Sequence, residues 1–197
     1  MKKILFTLLF LSNIAIAETT IYLVRHAEKI TTEGVKDPEL TAIGHFRALN
    51  IAKQLSEVGI TEIYSTNYKR TLQTAKPLAD YLNLEIKNYD PRKLIEFSEE
   101  IKSKKGTILI VGHSNTTPKL TSLISGETVA PIEEQHEYDN LYQVIMTDTQ
   151  TILNRFKSIP SYTLDDKQSV KKSITAKAEN SHTEKNTEKN NEDNNEY

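Results

Sequence analysis

The chain is predicted to fold as α/β, with a mainly parallel sheet covered by helices on both faces. Three observations carry that expectation. Short runs of β-branched and apolar residues alternate with longer segments whose apolar residues recur at helical spacing. The strongest of the short runs, Thr20–Arg25 and Thr107–Gly112, lack polar alternation, as strands buried on both faces do. Both stop at a histidine, His26 and His113.

Each element follows from its own signals. Thr20–Arg25 is the first strand. A helix is expected over Thr41–Val58, with Thr41 as N-cap, Gly59 as its stop, and Ile43, Phe46, Leu49, Ala52 and Leu55 along one drifting face. Glu62–Ser65 reads as the second strand. Tyr68–Leu82 reads as a helix buried through Leu72, Ala75, Leu78, Ala79 and Leu82, with Pro77 as a point of bending or breakage. Glu85–Tyr89 is a weaker third strand. Asp90 and Pro91 suit the N-cap and first position of a helix over Arg92–Ser103. The fourth strand, Thr107–Gly112, leads into a helix over Thr117–Ile124 that Gly126 stops. Leu141–Thr147 and Thr151–Phe156 form a closing hairpin across Asp148-Thr149-Gln150.

The two ends differ in character from this core. MKKILFTLLFLSNIAIA carries two lysines, an apolar run from Ile4, and Ala15-Ile16-Ala17 as a small-x-small cleavage site. These are the three regions of a secretory signal, so residues 1–17 are expected to be removed and Glu18 to begin the mature protein. Polar Ser12 and Asn13 cut the apolar run below the length of a membrane span, so no stable anchor is expected after cleavage. Residues 160–197 are rich in Lys, Glu, Asn, Ser and Thr and nearly free of large apolar side chains. Such a segment cannot bury enough surface to offset the entropy of ordering it, and a disordered tail is expected. The remaining 18–159 suits one domain with one core.

Composition excludes several classes of function. Net charge is -2, and from Ser158 onward six lysines face eight acids, so neither the chain nor its tail is built to bind nucleic acid. There is no cysteine, which rules out a disulfide scaffold, a thiolate zinc site and a cysteine nucleophile. A thiol-free exported chain suits a periplasmic or secreted location. Nothing in one sequence specifies an oligomer.

In a parallel α/β sheet, ligands collect beyond the carboxyl ends of the strands. Arg25, His26 and His113 lie at such ends, and Arg70 follows the second strand after YSTNYK. Arginine's planar fork matches phosphate oxygens, and two of them neutralise a dianion. A neutral imidazole between them can attack phosphorus and become an N-phosphoryl intermediate. A second histidine can support the equatorial oxygens of the transition state. The arginines supply the charge, so neither a metal nor another cofactor is expected.

These residues resemble the motifs of the histidine phosphatase (phosphoglycerate mutase-like) superfamily. YLVRHAEK is similar to its Arg-His-Gly/Ala opening, and Leu40-Thr41 through Gly44 to Ala48 to its L-T-x-x-G-x-x-x-A helix. Tyr64-Ser65 through Arg70 to Gln73-Thr74-Ala75 resembles S-S-x-x-x-R-A-x-Q-T-A, and Val111-Gly112-His113-Ser114-Asn115 the strand end with the second histidine. The resemblance implies a three-layer α/β/α sandwich in which the strands ending at His26 and His113 are neighbours. It implies His26 as nucleophile, Arg25 and Arg70 as phosphate clamps with Asn115 beside them, and His113 as transition-state support. The expected substrate is a small phosphorylated molecule.

The departures are informative. The phytase and acid phosphatase branch has His-Asp at the second histidine, whereas Ser114 follows His113 here. The mutase branch usually has a glutamate in an insertion after the second arginine, and the path from Arg70 to His113 has no room for one. Glu28, Glu96, Glu137 and Asp139 remain as candidate proton donors. A site without a fixed acid favours substrates with good leaving groups, such as phosphohistidine or phosphoanhydrides. The compact outline resembles the short phosphohistidine phosphatases and an exported subgroup associated with phosphorylated envelope sugars.

Two other readings stand beside a phosphatase acting through His26. One is a non-catalytic binder of phosphate or a phospho-ligand. The other is a metal-dependent hydrolase using His26, His113, His136 and Glu137, which no His-x-x-x-His or His-x-Glu spacing supports. His45 reads as a helix residue, His136 as a loop residue and His182 as part of the tail. Lys29 and Lys36 could attract anionic substrates, and a solvated loop explains them as well.

Overall fold

In a computed structural model, residues 18–158 are described. The expected leader and the whole of the expected tail lie outside the described residues. Ten elements follow in order: β1 (Thr19–Arg25), α1 (Ala42–Leu55), β2 (Ile60–Ser65), α2 (Lys69–Leu82), β3 (Ile86–Asn88), α3 (Leu94–Ser103), β4 (Gly106–Gly112), α4 (Thr116–Ser125), β5 (Asn140–Met146) and β6 (Thr151–Lys157).

The six strands form one sheet in the order β3-β2-β4-β1-β5-β6. β3, β2, β4 and β1 pair in parallel, and β5 and β6 close one edge as an antiparallel hairpin. β1 and β4 are central neighbours, with Arg25 opposite Gly112, so their carboxyl ends emerge side by side.

Strand alternation explains why both faces are covered. Ile21, Leu23, Ile108 and Ile110 point to one face, where they pack with Leu94, Phe97 and Ile101 of α3 and Leu120 and Ile124 of α4. Tyr22, Val24, Leu109 and Val111 point to the other, against Ile51, Ala52 and Leu55 of α1 and Ala75, Leu78 and Ala79 of α2. An unalternating apolar strand therefore serves two cores at once. The fold is a three-layer α/β/α sandwich.

Three local expectations need correction. α1 does not bury the face through Ile43 and Leu49, which are 53% and 58% exposed. Its inward face is Gly44, Arg47, Ala48, Ile51, Ala52 and Leu55, because an arginine with an internal carboxylate partner displaces the purely apolar reading. α3 starts at Leu94 rather than at Arg92, with Lys93 at its N-cap position. Asp90 instead closes a turn, its carboxylate accepting from the Arg92 N–H at 3.0 Å while its carbonyl accepts from the Lys93 N–H at 3.0 Å. Pro77 neither breaks nor ends α2, which runs on to Asn83, a left-handed C-cap.

Among the described residues no helix is long and apolar enough to cross a membrane.

Candidate active site

The parallel register brings His26 and His113 together. The His26 N–H continues the ladder by donating to the Gly112 carbonyl at 2.9 Å, and the two imidazole rings stand 5.5 Å apart. Both are buried, at 3% and 9% exposure. They sit on the floor of a cavity of about 430 Å³ that opens at the carboxyl edge of the sheet.

The chain after β1 is held by residues of the two motifs that follow it. The Ala27 N–H donates to Thr74 Oγ1 at 3.0 Å, and the Leu40 N–H to Gln73 Oε1 at 2.8 Å. Thr41 caps α1 by accepting from the Gly44 N–H at 3.0 Å, while its own N–H donates to the Glu28 carbonyl at 2.9 Å. A Cβ at Gly44 would overlap that Glu28 carbonyl oxygen, so the helix end and the histidine loop can touch only through a glycine.

Hydrogen bonding assigns the tautomer of His26. Its Nδ1 lies 2.8 Å from the Ala27 carbonyl oxygen, which can only accept, so Nδ1 carries the proton and Nε2 keeps the lone pair. Burial pushes its pKa down to about 3, and the charges of Arg25, His113 and Arg70 push the same way. His113 falls to about 4, chiefly through burial and then through Arg70, Arg25 and Lys29. Both rings are neutral near pH 7.

Positive charge in the cavity comes from Arg70, Lys29 and Arg92. Arg70 is largely buried, with its Cζ 4.6 Å from the centre of the Tyr68 ring and its Nη1 3.4 Å from Asp37. Its Nε is buried and has no hydrogen-bond partner. Asn115, the expected substrate contact, lines the cavity beside Ser114.

Arg25 is placed differently from its expected role as a clamp. It is fully buried and does not line the cavity. Its Nη1 donates to the carbonyls of Glu133 (3.2 Å) and Glu137 (2.9 Å), and its Nη2 to that of Glu134 (2.6 Å). The Tyr138 ring covers its guanidinium at 4.0 Å. Arg25 thus fastens the turn at 133–138 over the site, and its Nε is the nitrogen left without a partner.

None of the four expected proton donors lines the cavity. Glu28 holds the buried Arg47 through both carboxylate oxygens, at 2.6 to 3.0 Å. Glu96 lies on α3 beside a separate recess with Tyr64 and Phe97. Glu137 accepts from the Glu133 N–H at 2.6 Å, and Asp139 pairs with Lys157 at 3.0 Å. The carboxylate that does line the cavity is Glu134, paired with Lys29 at 3.3 Å and 65% exposed. Sequence gave no means of choosing it from EEQHEYD, because the choice is made by how Arg25 folds that turn. Among the described residues no group of three or more His, Asp or Glu converges as a metal site.

Two neutral histidines beneath an arginine-lined opening, at the carboxyl edge of a mainly parallel sheet, define a site built for phosphoryl groups. Residues 21–99 match the family model of the histidine phosphatase superfamily (branch 1). The protein named probable phosphoglycerate mutase GpmB of Yersinia enterocolitica is 38% identical over 77 residues, which are 36% of this chain and 35% of that relative. The chain thus matches about a third of the length of such relatives.

Solved structures agree on the fold. A histidine-to-alanine variant of phosphoserine phosphatase from Entamoeba histolytica, in complex with phosphoserine, superposes with a TM-score of 0.56 at 16% identity, covering 73% of this chain and all of the other. A mycobacterial glucosyl-3-phosphoglycerate phosphatase gives 0.57 at 12%, over 71% and 99%. Phosphoglycerate mutase from Bacillus anthracis gives 0.54 at 13%, over 77% and 98%.

Proposed function

We propose that this protein is a metal-independent phosphatase that hydrolyses a phosphomonoester or phosphoramidate through a phosphohistidine on His26. The observation that carries this reading is the locked tautomer of His26, a buried neutral imidazole whose Nε2 lone pair is free beneath a cationic opening. The Nε2 lone pair attacks phosphorus while the bond to the leaving group breaks. Arg70, with Lys29 and Arg92 at the opening, offsets the charge of the phosphoryl oxygens. Water then attacks the phosphohistidine, releasing inorganic phosphate and restoring neutral His26. Phosphatases share this fold, and the superfamily supports phosphoryl transfer.

Leaving-group protonation shapes the substrate class. The cavity's carboxylate, Glu134, is exposed and ion-paired, so among the described residues no buried acid of the cavity stands ready to protonate a poor leaving group. This favours phosphoryl groups on nitrogen or on stabilised oxygens over alkyl esters. The leader reading places the activity outside the cytoplasm, with residues 18–159 as the working domain.

Release of phosphate from an aryl phosphate, with EDTA present, tests the reading against the variant His26→Ala. Turnover that survives EDTA and vanishes in the variant supports it. Loss of activity with EDTA would favour a metal-dependent hydrolase. Absence of turnover in the unaltered protein, with phosphate still bound, would leave a binding protein.

A further inference from the structure

His113 makes two ring contacts that fix its tautomer, and one of them leads away from the cavity into a chain of threonine hydroxyls. Its Nδ1 lies 3.3 Å from Arg70 Nη2, and its Nε2 lies 2.9 Å from Thr66 Oγ1. Thr66 Oγ1 is 3.0 Å from Thr71 Oγ1, which in turn lies 2.8 Å from the Thr66 carbonyl oxygen and 2.9 Å from that of Tyr68. Thr66 and Thr71 are both fully buried.

Only one arrangement of protons satisfies every contact. Arginine donates and never accepts, so Nδ1 must hold a lone pair and Nε2 the proton. Thr66 Oγ1 accepts that Nε2–H and has its own proton to place. Thr71 is flanked by two carbonyl oxygens that can only accept, so its hydroxyl proton points to one of them. Its oxygen then receives the proton of Thr66. Reversing the chain would leave Nδ1–H facing a guanidinium and deny both carbonyls the Thr71 hydroxyl, between two fully buried side chains.

We propose that Thr66 is a positioning residue: backed by Thr71, its hydroxyl holds His113 as the Nε2–H tautomer and keeps Nδ1 as the nitrogen presented to Arg70 and the phosphate site. The inference rests on the phosphatase reading for its catalytic meaning, but not for its geometry. When a phosphate dianion enters, Arg70 exchanges the Nδ1 lone pair for a phosphate oxygen. His113 then takes one proton from solvent at Nδ1 and donates it as a hydrogen bond to the phosphoryl group. The groups that act on this proton are Arg70 from α2, Arg25 from β1, and Lys29, His26 and Glu134 around the opening. The bound dianion reverses the effect of the cations, which otherwise hold His113 neutral.

The test is long-range ¹H–¹⁵N spectroscopy of the histidines in the full chain, with and without inorganic phosphate, the His113 signals being assigned with His113→Gln. The expected spectrum shows a protonated Nε2 and a bare Nδ1, with phosphate adding the second proton. A bare Nε2 in the unaltered protein overturns the proposal. Thr66→Val is expected to lose the fixed tautomer and to lower kcat for the aryl phosphate about ten- to a hundredfold, with KM moved less, as loss of an orienting partner does. Thr66→Ser, which keeps the hydroxyl, restores both. A Thr66→Val protein with the original tautomer, or with unchanged kcat, overturns the proposal. If Thr66→Val fails to fold, Thr71→Val is the second variant, expected to mix the two tautomers. An unaltered protein that shows the expected tautomer but never releases phosphate would sink the phosphatase reading and leave the assignment of the proton chain standing.

Discussion

His26 and His113 are neutral because folding takes them out of water among cations, and this has a cost that depends on pH. Their folded pKa values, about 3 and about 4, lie below the ordinary histidine value of 6.5. Between those values and 6.5 the unfolded chain binds more protons than the folded one, so stability falls as pH drops through that window. Each histidine adds a slope of up to about 1.4 kcal/mol per pH unit. Urea midpoints are therefore expected to fall from pH 7 to pH 5, and to fall less steeply in His26→Ala. Glu28 makes a separate prediction at the same scale. Its carboxylate neutralises Arg47, whose side chain is 9% exposed. Glu28→Ala leaves that cation without its partner and is expected to lower stability by about 3 kcal/mol, measured by urea unfolding. A proton donor that only touched substrate would show no such loss. The two histidines and Arg70 were legible in the sequence because each ends or follows an apolar strand. Arg47, Glu134 and Tyr138 were not, because an arginine inside a helix face, one acid among several and one ring in a turn acquire meaning only through their partners.

At the scale of elements, α1 joins stability to the site. Its first turn is fixed by Thr41, whose side chain caps the helix while its N–H holds the Glu28 carbonyl. Thr41→Ala loses the cap and the longer hydroxyl bond to the Glu28 carbonyl (3.3 Å); it is expected to cost about 1 kcal/mol, with activity nearly kept because the shorter N–H bond to that carbonyl (2.9 Å) remains. Gly44→Ala is a harsher change. The new methyl overlaps the Glu28 carbonyl, and relief requires either the helix or the His26 loop to move. A loss of about 1–3 kcal/mol is expected from overpacking, together with a fall in kcat that Thr41→Ala does not show. Equal falls in kcat for the two variants would mean that the loop position does not matter to the chemistry. Helix and strand order was readable from periodicity alone, yet the buried face of α1 was not. A moment drawn from apolar residues points toward Ile43 and Leu49, while the actual contact is set by Gly44 and by the Arg47–Glu28 pair. The start of α3 was misread for a related reason. Asp-Pro suits an N-cap and a turn equally, and here Arg92 supplies the side-chain partner that favours the turn.

For the whole molecule, sheet order decides where the chain ends relative to its chemistry. β5 is antiparallel to β1 and β6 antiparallel to β5, so β6 finishes at the same edge as β1 and β4. Ser158, just beyond β6, is fully buried there. Its N–H donates to the Asp139 carbonyl at 2.6 Å, and its own carbonyl accepts from Arg47 Nη1 at 2.6 Å. One buried arginine therefore ties the end of the domain to Glu28, two residues after His26. No sequence pattern pointed to this closure, since Ser158 lies at the margin of a polar segment and its contribution is made by main-chain atoms. The closure sharpens the expected domain boundary at residue 159 into a measurable difference. Removal of residues 160–197 is expected to leave thermal stability unchanged and kcat/KM within about a factor of two, because no bond to Arg47 or Asp139 is lost. Removal of residues 158–197 deletes Ser158 as well and leaves a charged donor of Arg47 without its acceptor. That second truncation is expected to lower stability by about 2 kcal/mol, the scale of a hydrogen bond to a charged group. It should also lower kcat, since Arg47 is the partner that holds Glu28 beside the histidine loop. Equal behaviour of the two truncations would show that Ser158 closes nothing, and a large drop in the first would place residues 160–197 in the working site.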